Sequence, residues 1–219
     1  MLRYGRHGIN IATVHRWTPV LLLGLLTLSG IVCASGAPAP LPALDRVTLV
    51  AAPRLIPDFQ LTDQNGRPRT LASLRGKPTL VFFGFTHCPD VCPAALTKLK
   101  LLHDSNGGAL RSAQVVFISV DGERDTPTVM KQYLAPLSTD FIGLTGNPRA
   151  VVDIAARFSA VAFKEDPDAR GNYEYFHSSQ VFVLDRDGRL RASFTDASVP
   201  DMATITRILL EEGSRGSVH

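Results

Sequence analysis

Cys88 and Cys92 stand in the stretch FFGFTHCPDVCP, Phe82 to Pro93, separated by three residues. Two thiols at this spacing have three chemistries open to them: a structural disulfide, thiol–disulfide exchange, or metal ligation. A disulfide this short closes a small loop and constrains the unfolded chain little. Side chains four apart on a helix have Cβ atoms about 5–6 Å apart, whereas a disulfide needs about 3.8 Å. The bond therefore forms only if Cys88 lies in the loop before a helix. A helix N-terminus stabilises thiolate, which favours reactive or ligating cysteine over inert cysteine.

A metal relaxes the distance, since two sulfurs each about 2.3 Å from one ion can be up to about 4.6 Å apart. Two thiolates and an imidazole suit a soft ion such as Cu(I). Of the six histidines, His7 and His15 are near the N-terminus and His219 is the last residue. His103 reads as a charge at the C-terminal end of a helix. His87 adjoins Cys88, and a neighbour in an extended stretch points the other way. His177, in YEYFHSSQVFVLD, comes just before an apolar run. It can face the cysteines if that run is a strand beside the first one. Taken alone it reads equally as a loop residue at a strand entry, and spacing does not decide.

The elements that must position these residues are legible. Thr79 to Thr86, TLVFFGFT, is nearly all apolar, as a strand buried on both faces should be. Asp90 to His103 follows, with Val91, Ala94, Ala95, Leu99 and Leu102 at helical spacing. PDFQLTDQNGRPRTLASL reads as a hairpin around Gln64-Asn65-Gly66. QVVFISVD is a second buried strand. Thr126 and Pro127 open a helix, IGLTG is a short strand, and Asn147 caps a helix through Phe158. QVFVLD and LRASF flank a turn at Arg186-Asp187-Gly188, and Pro200 to Glu211 is a closing helix with Gly213 at its end. Strand–helix alternation with a closing hairpin predicts an α/β sandwich with a central mixed sheet flanked by helices. Sites in such sheets form at the carboxyl ends of strands, where Cys88 and Cys92 fall.

The chain has 219 residues and 45% hydrophobic residues, enough for one core plus extensions. The net charge of +3 is uneven: Arg3, Arg6 and Arg16 precede any acid, and the remaining twenty Lys and Arg match twenty Asp and Glu. No basic run points to nucleic acid. The three arginines precede an uncharged apolar run of 18 residues, Trp17 to Ala34. That pattern marks an export leader, and its length is borderline for a span of about 20 residues. Cleavage after Ala34 or Gly36 would release the protein, and the lack of charge until Asp45 favours an anchor at residues 17–34. Val32 before Cys33, where a small residue would be needed, argues against lipidation. The expected organisation is a leader or anchor over 1–36, a Pro/Ala-rich tether over 37–52, the folded domain over 53–213 and a tail over 214–219.

FFGFTHCPDVCP, VDGERDTP, LTG and HSSQVFVLDRDG occur in this order. Together they resemble the Sco/SenC family, thioredoxin-like copper chaperones for cytochrome c oxidase assembly, over about Pro57 to Ile208. The resemblance implies a thioredoxin-like fold with an N-terminal hairpin. It implies copper on Cys88, Cys92 and His177, a copper-receiving oxidase subunit and an upstream thiol reductant as partners. It also implies a membrane hold through the N-terminal segment and a place on the periplasmic face of the inner membrane. Asp90 matches the acid between the family's cysteines and reads as partner-facing or as a first-turn acid. Arg124 and Asp125 match a loop the family shares, with a structural or docking role or only a solvated turn. Two departures stand out. Gly122 replaces a proline of the family loop, with little consequence expected, and Phe176 replaces an aspartate that could orient the ligand imidazole.

Two rival classes remain. A thiol–disulfide reductase would use Cys88 and Cys92 as a redox pair, though such enzymes carry two residues between their cysteines, not three. A zinc module would want a fourth ligand, and besides Cys88 and Cys92 the chain has only Cys33, in the leader segment. Met130 and Met202 are too few for a methionine-rich copper store.

Overall fold

The computed structural model of the protein describes residues 40–215. Residues 1–36, read above as leader or anchor, lie outside the described residues, as do the start of the tether and His219. Among the described residues no helix is long and apolar enough to cross a membrane.

In chain order the strands are β1 (Val47–Leu55), β2 (Gln60–Asp63), β3 (Pro68–Thr70) and β4 (Thr79–Gly84). Helix α1 (Val91–Asp104), β5 (Gln114–Ser119), α2 (Pro127–Leu134), β6 (Ile142–Thr145) and α3 (Pro148–Arg157) follow. Then come β7 (Ala162–Lys164), β8 (Tyr175–His177), β9 (Val181–Leu184), β10 (Arg189–Phe194) and α4 (Val199–Arg215). Eight strands form one mixed sheet in the order β1-β10-β9-β4-β5-β6-β2-β3, while β7 and β8 form a separate ribbon. The expected mixed sheet flanked by helices is present, with the β2–β3 hairpin closing on Gly66, whose N–H donates to the Asp63 carbonyl.

Strand β4 is central, parallel to β5 and antiparallel to β9. All six of its residues are buried, which explains why its sequence shows no polar alternation. Leu80 and Phe82 point into one core with α1, α2 and α4, through Leu96, Leu99, Met130 and Ile205. Val81 and Phe83 point into the other with α3, through Val151, Ile154 and Phe158. Met130 and Met202 are core residues. Asn147 accepts from the Arg149 and Ala150 N–H groups, and Thr126 from Val129 N–H, as N-caps should.

Three expectations are corrected. Residues 47–52, expected to be tether, belong to β1, whose Val47, Thr48 and Leu49 pair with Phe194, Ser193 and Ala192. Without them β10 would present an open edge of unpaired backbone groups, and VTLV, β-branched at Val47, Thr48 and Val50, suits that edge. Pro53 is accommodated because β1 is an edge strand with its register shifted between Leu49 and Arg54. Helix α4 runs past Gly213 to Arg215, since a glycine costs a helix only about 1 kcal/mol. His103 is 5% exposed, packed edge-on against Phe141 at 5.5 Å, and so is a buried last-turn residue of α1.

Candidate metal centre

The chain leaves β4 at Gly84 and reaches α1 through Phe85 to Asp90. Cys88 is therefore in the loop before the helix and half-buried, while Cys92 lies in the first turn and is fully buried. The Cys92 N–H donates to the Cys88 sulfur at 3.4 Å, placing that sulfur at the positive end of α1. Gly84 makes room for the buried thiol. A Cβ at this position would sit 2.6 Å from the Cys92 sulfur and 2.8 Å from the Phe117 ring. A lone glycine in an otherwise bulky strand was the sequence signal for this close approach.

His177 arrives from the far side of the sheet. Strand β9, antiparallel to β4, begins four residues later, as the sequence required. The histidine itself ends β8, paired with Ala162 of β7, so it is held by a ribbon and not a loose loop. Its ring packs edge-on against Phe82 at 5.9 Å and Phe85 at 5.8 Å. Nδ1 lies 3.2 Å from the Ser178 carbonyl. A carbonyl only accepts, so Nδ1 carries the proton and the Nε2 lone pair is free. Nε2 lies 3.4 Å from the Cys92 sulfur, and all three potential ligand atoms are within 4.8 Å of one another.

Electrostatics agree with this geometry. Burial pushes the Cys92 thiol well up, the neighbouring Cys88 and Asp125 add to the rise, and a backbone hydrogen bond from Phe85 offsets part of it. Burial lowers the His177 pKa against the opposing pull of the Ser178 carbonyl, which favours the neutral, ligating imidazole. A soft cation arriving here must displace the thiol protons, so its binding is coupled to proton release.

The loop is pinned by Asp125, which is fully buried. Its carboxylate accepts from Thr86 N–H at 2.9 Å, Thr86 Oγ1 at 2.6 Å and Ser119 Oγ at 2.6 Å. The reading of this residue as part of a solvated turn is therefore corrected. Arg124 Nε donates to Asp121, and its guanidinium lies 4.0 Å over the Tyr173 ring. His87 is exposed, stays away from the thiols and bonds Thr86 Oγ1 at 3.2 Å. With Asp121 and Asp125 it makes a second group of potential ligands, but both carboxylates already accept bonds inside the protein. His103 follows Cys92 by eleven residues of helix, about 16 Å. Asp90 occupies the N-cap position of α1 without a side-chain cap bond and is exposed.

The SCO1/SenC family model matches residues 48–210. The chain belongs to the SCO1/SenC family. Among its relatives, the SCO2-like protein of Rickettsia conorii is 36% identical over 152 residues, covering 68% of this chain and 74% of its own. The solved structure of Bradyrhizobium japonicum ScoI with copper bound is 39% identical, with a TM-score of 0.64, over 70% of this chain and 98% of that one. Yeast Sco1 with copper bound is 28% identical, with a TM-score of 0.63, over 74% of this chain and 90% of that one. The fold is thus the thioredoxin-like fold of Sco structures.

The two departures from the Sco pattern can now be located. Phe176 stacks on Phe163 at 5.0 Å and is half-exposed. Strand alternation turns it away from the face His177 uses, and the Ser178 carbonyl sets the imidazole tautomer. Gly122 matters more than expected. A Cβ there would lie 1.8 Å from the Gly146 carbonyl oxygen, so a proline could enter only if the loop carrying Asp125 moved.

Proposed function

We propose that this chain binds one copper ion through Cys88, Cys92 and His177 and delivers it to the copper site of cytochrome c oxidase during assembly. The observation that carries the reading is the convergence of two thiols and a neutral imidazole within 4.8 Å. Two sulfurs and a nitrogen suit Cu(I), and the copper-bound Sco structures named above support that choice of cargo. Three ligands leave the ion open to a further one. Cys92 is held from inside, whereas Cys88 and His177 are both half-buried and reach solvent. An incoming partner thiolate therefore shares the ion from the side where Cys88 and His177 reach solvent, away from the buried Cys92, and exchange proceeds through joint coordination.

Copper loading requires both thiols reduced, so an upstream dithiol donor is part of the reading. The half-exposed Cys88 sulfur at a helix N-terminus also supports thiol–disulfide exchange with partner cysteines as a second role. The reduced domain is expected to take up one copper, and Cys88→Ser or Cys92→Ser to lose it. His87→Ala and His103→Ala should retain it. Retention by both serine variants, measured as metal per protein after competition with a chelator, would overturn the ligand set.

The proposed setting is the periplasmic face of the inner membrane, with residues 17–34 as anchor or cleaved leader. It is supported by Arg3, Arg6 and Arg16 before an uncharged apolar run. An enzyme active only in the cytoplasm, fused to the C-terminus, should show no activity. Strong activity would reverse the orientation.

A further inference from the structure

His177 rides on the β7–β8 ribbon, and two paired strands of three residues each are marginal on their own. The ribbon therefore needs a hold on the rest of the domain. Ala162 and Tyr175 are buried in the core on the α3 side, while Phe163 and Phe176 on its outer face are exposed. At the end away from His177 the contacts converge on Tyr173, two residues before β8. Lys164 Nζ lies 3.6 Å from the centre of the Tyr173 ring and the Arg124 guanidinium 4.0 Å from it, so two cations bind one aromatic ring. The Tyr173 hydroxyl lies 3.2 Å from an Asp121 carboxylate oxygen and 3.3 Å from a Glu123 one, and shares its proton between them. Lys164 Nζ also donates to Glu123 at 2.7 Å, and Arg124 Nε to Asp121. Asp121, Glu123 and Arg124 belong to one turn, and the next residue, Asp125, holds Thr86 beside the thiols. Residues 121–125 thus grip both ligand-bearing segments, the thiol loop through Asp125 and the imidazole ribbon through Tyr173. From Tyr173 a row of rings leads to the ligand, with centroids 6.0 Å apart to Tyr175, 5.9 Å on to Phe85 and 5.8 Å on to His177.

We infer that Tyr173 is a positioning residue for copper binding: clasped by Lys164, Arg124, Asp121 and Glu123, it fixes the ribbon so that His177 Nε2 stays beside the Cys92 sulfur. Apparent affinity scales with the fraction of molecules in the binding-competent arrangement. A ribbon that holds His177 in place only about a tenth of the time would cost about tenfold in affinity. The inference rests on the proposed ligand set and adds to it a residue that touches neither the thiols nor the imidazole.

The test uses the reduced full chain, Cu(I) and two variants. Tyr173→Leu removes the ring and the hydroxyl, and its Cu(I) affinity by chelator competition should fall about tenfold. Tyr173→Phe keeps the ring between the cations and should fall less, by about threefold, in keeping with the loss of one shared hydrogen bond. The same substitutions are then made in His177→Ala, whose residual binding by the two thiols is read with a weaker chelator. There the affinity should change by less than about twofold, because no imidazole is left to position. A general structural role would lower the affinity alike in both backgrounds. The metal-free protein gives a second reading. The Glu165 N–H donates to the Glu174 carbonyl and the Ser178 N–H to the Val161 carbonyl, one bond at each end of the ribbon. Amide exchange at Glu165 and Ser178 should quicken in both variants, with β4 amides unchanged. If Tyr173→Leu misfolds, Tyr173→Phe carries the comparison. Equal losses with and without His177, or unchanged affinity and unchanged Ser178 exchange in a folded variant, would overturn the inference and leave the ligand set intact. A parent protein that binds no copper would overturn the ligand set, and the positioning role with it.

Discussion

Replacing His177 with alanine is expected to abolish useful copper binding while leaving Cys88 and Cys92 able to be oxidised and reduced. Loss of a ligand should exceed the roughly 10–100-fold that loss of an outer-shell partner costs a metal site. Dithiol exchange proceeds by thiolate attack on a disulfide through a mixed intermediate and needs no imidazole ligand. The substitution removes the Nε2 contact with Cys92 and the ring's packing on Phe82 and Phe85, so thermal unfolding must be followed alongside. The decisive measurement is paired. Disulfide exchange with a small thiol is followed in vitro, and oxidase activity is followed in a strain grown at low copper with the variant as its copy. Retained exchange with lost oxidase activity is the expected result. Normal oxidase activity would remove the delivery role and leave thiol–disulfide exchange as the better account of the pair.

The second large effect is expected at a residue that touches no copper. Asp125→Ala should destabilise the domain by on the order of 3 kcal/mol, about 6–12 °C in melting temperature for a domain of this size. The carboxylate accepts three hydrogen bonds from Thr86 and Ser119, and alanine leaves those buried donors unpaired. Asp125→Asn should be nearly as costly, because its amide presents hydrogens to donors. Thr86 is two residues before Cys88, so faster amide exchange should appear first over residues 86–88. Melting of Asp125→Ala within about 1 °C of the parent would show that the loop is held by something else.

Much of the site was written in the chain's local order. The Cys88–Cys92 spacing, the apolar β4 before it and the apolar β9 after His177 are local patterns. Burial dictates such patterns directly, because a central strand must be apolar on both faces. The helix starts at Thr126 and Asn147 were legible for the same reason, since a cap acts on N–H groups two or three residues away. Sequence order and motif content also sufficed for the family.

The tertiary structure decided whatever depended on which distant segments meet. Residues 47–52 became a strand only because β10, about 140 residues later, had a free edge. Gly122 looked replaceable until the Gly146 carbonyl was found against it. Asp125 looked like a turn residue until it was seen to hold Thr86, 39 positions away. The choice of His177 over His87 as the imidazole beside Cys92 was likewise spatial. His87 is one residue from Cys88, yet its ring turns to Thr86 and Asp125, while His177 reaches across 85 positions to within 3.4 Å of the Cys92 sulfur. Side-chain direction follows the backbone's pleat and its pairing partners, so nearness in sequence did not become nearness in space.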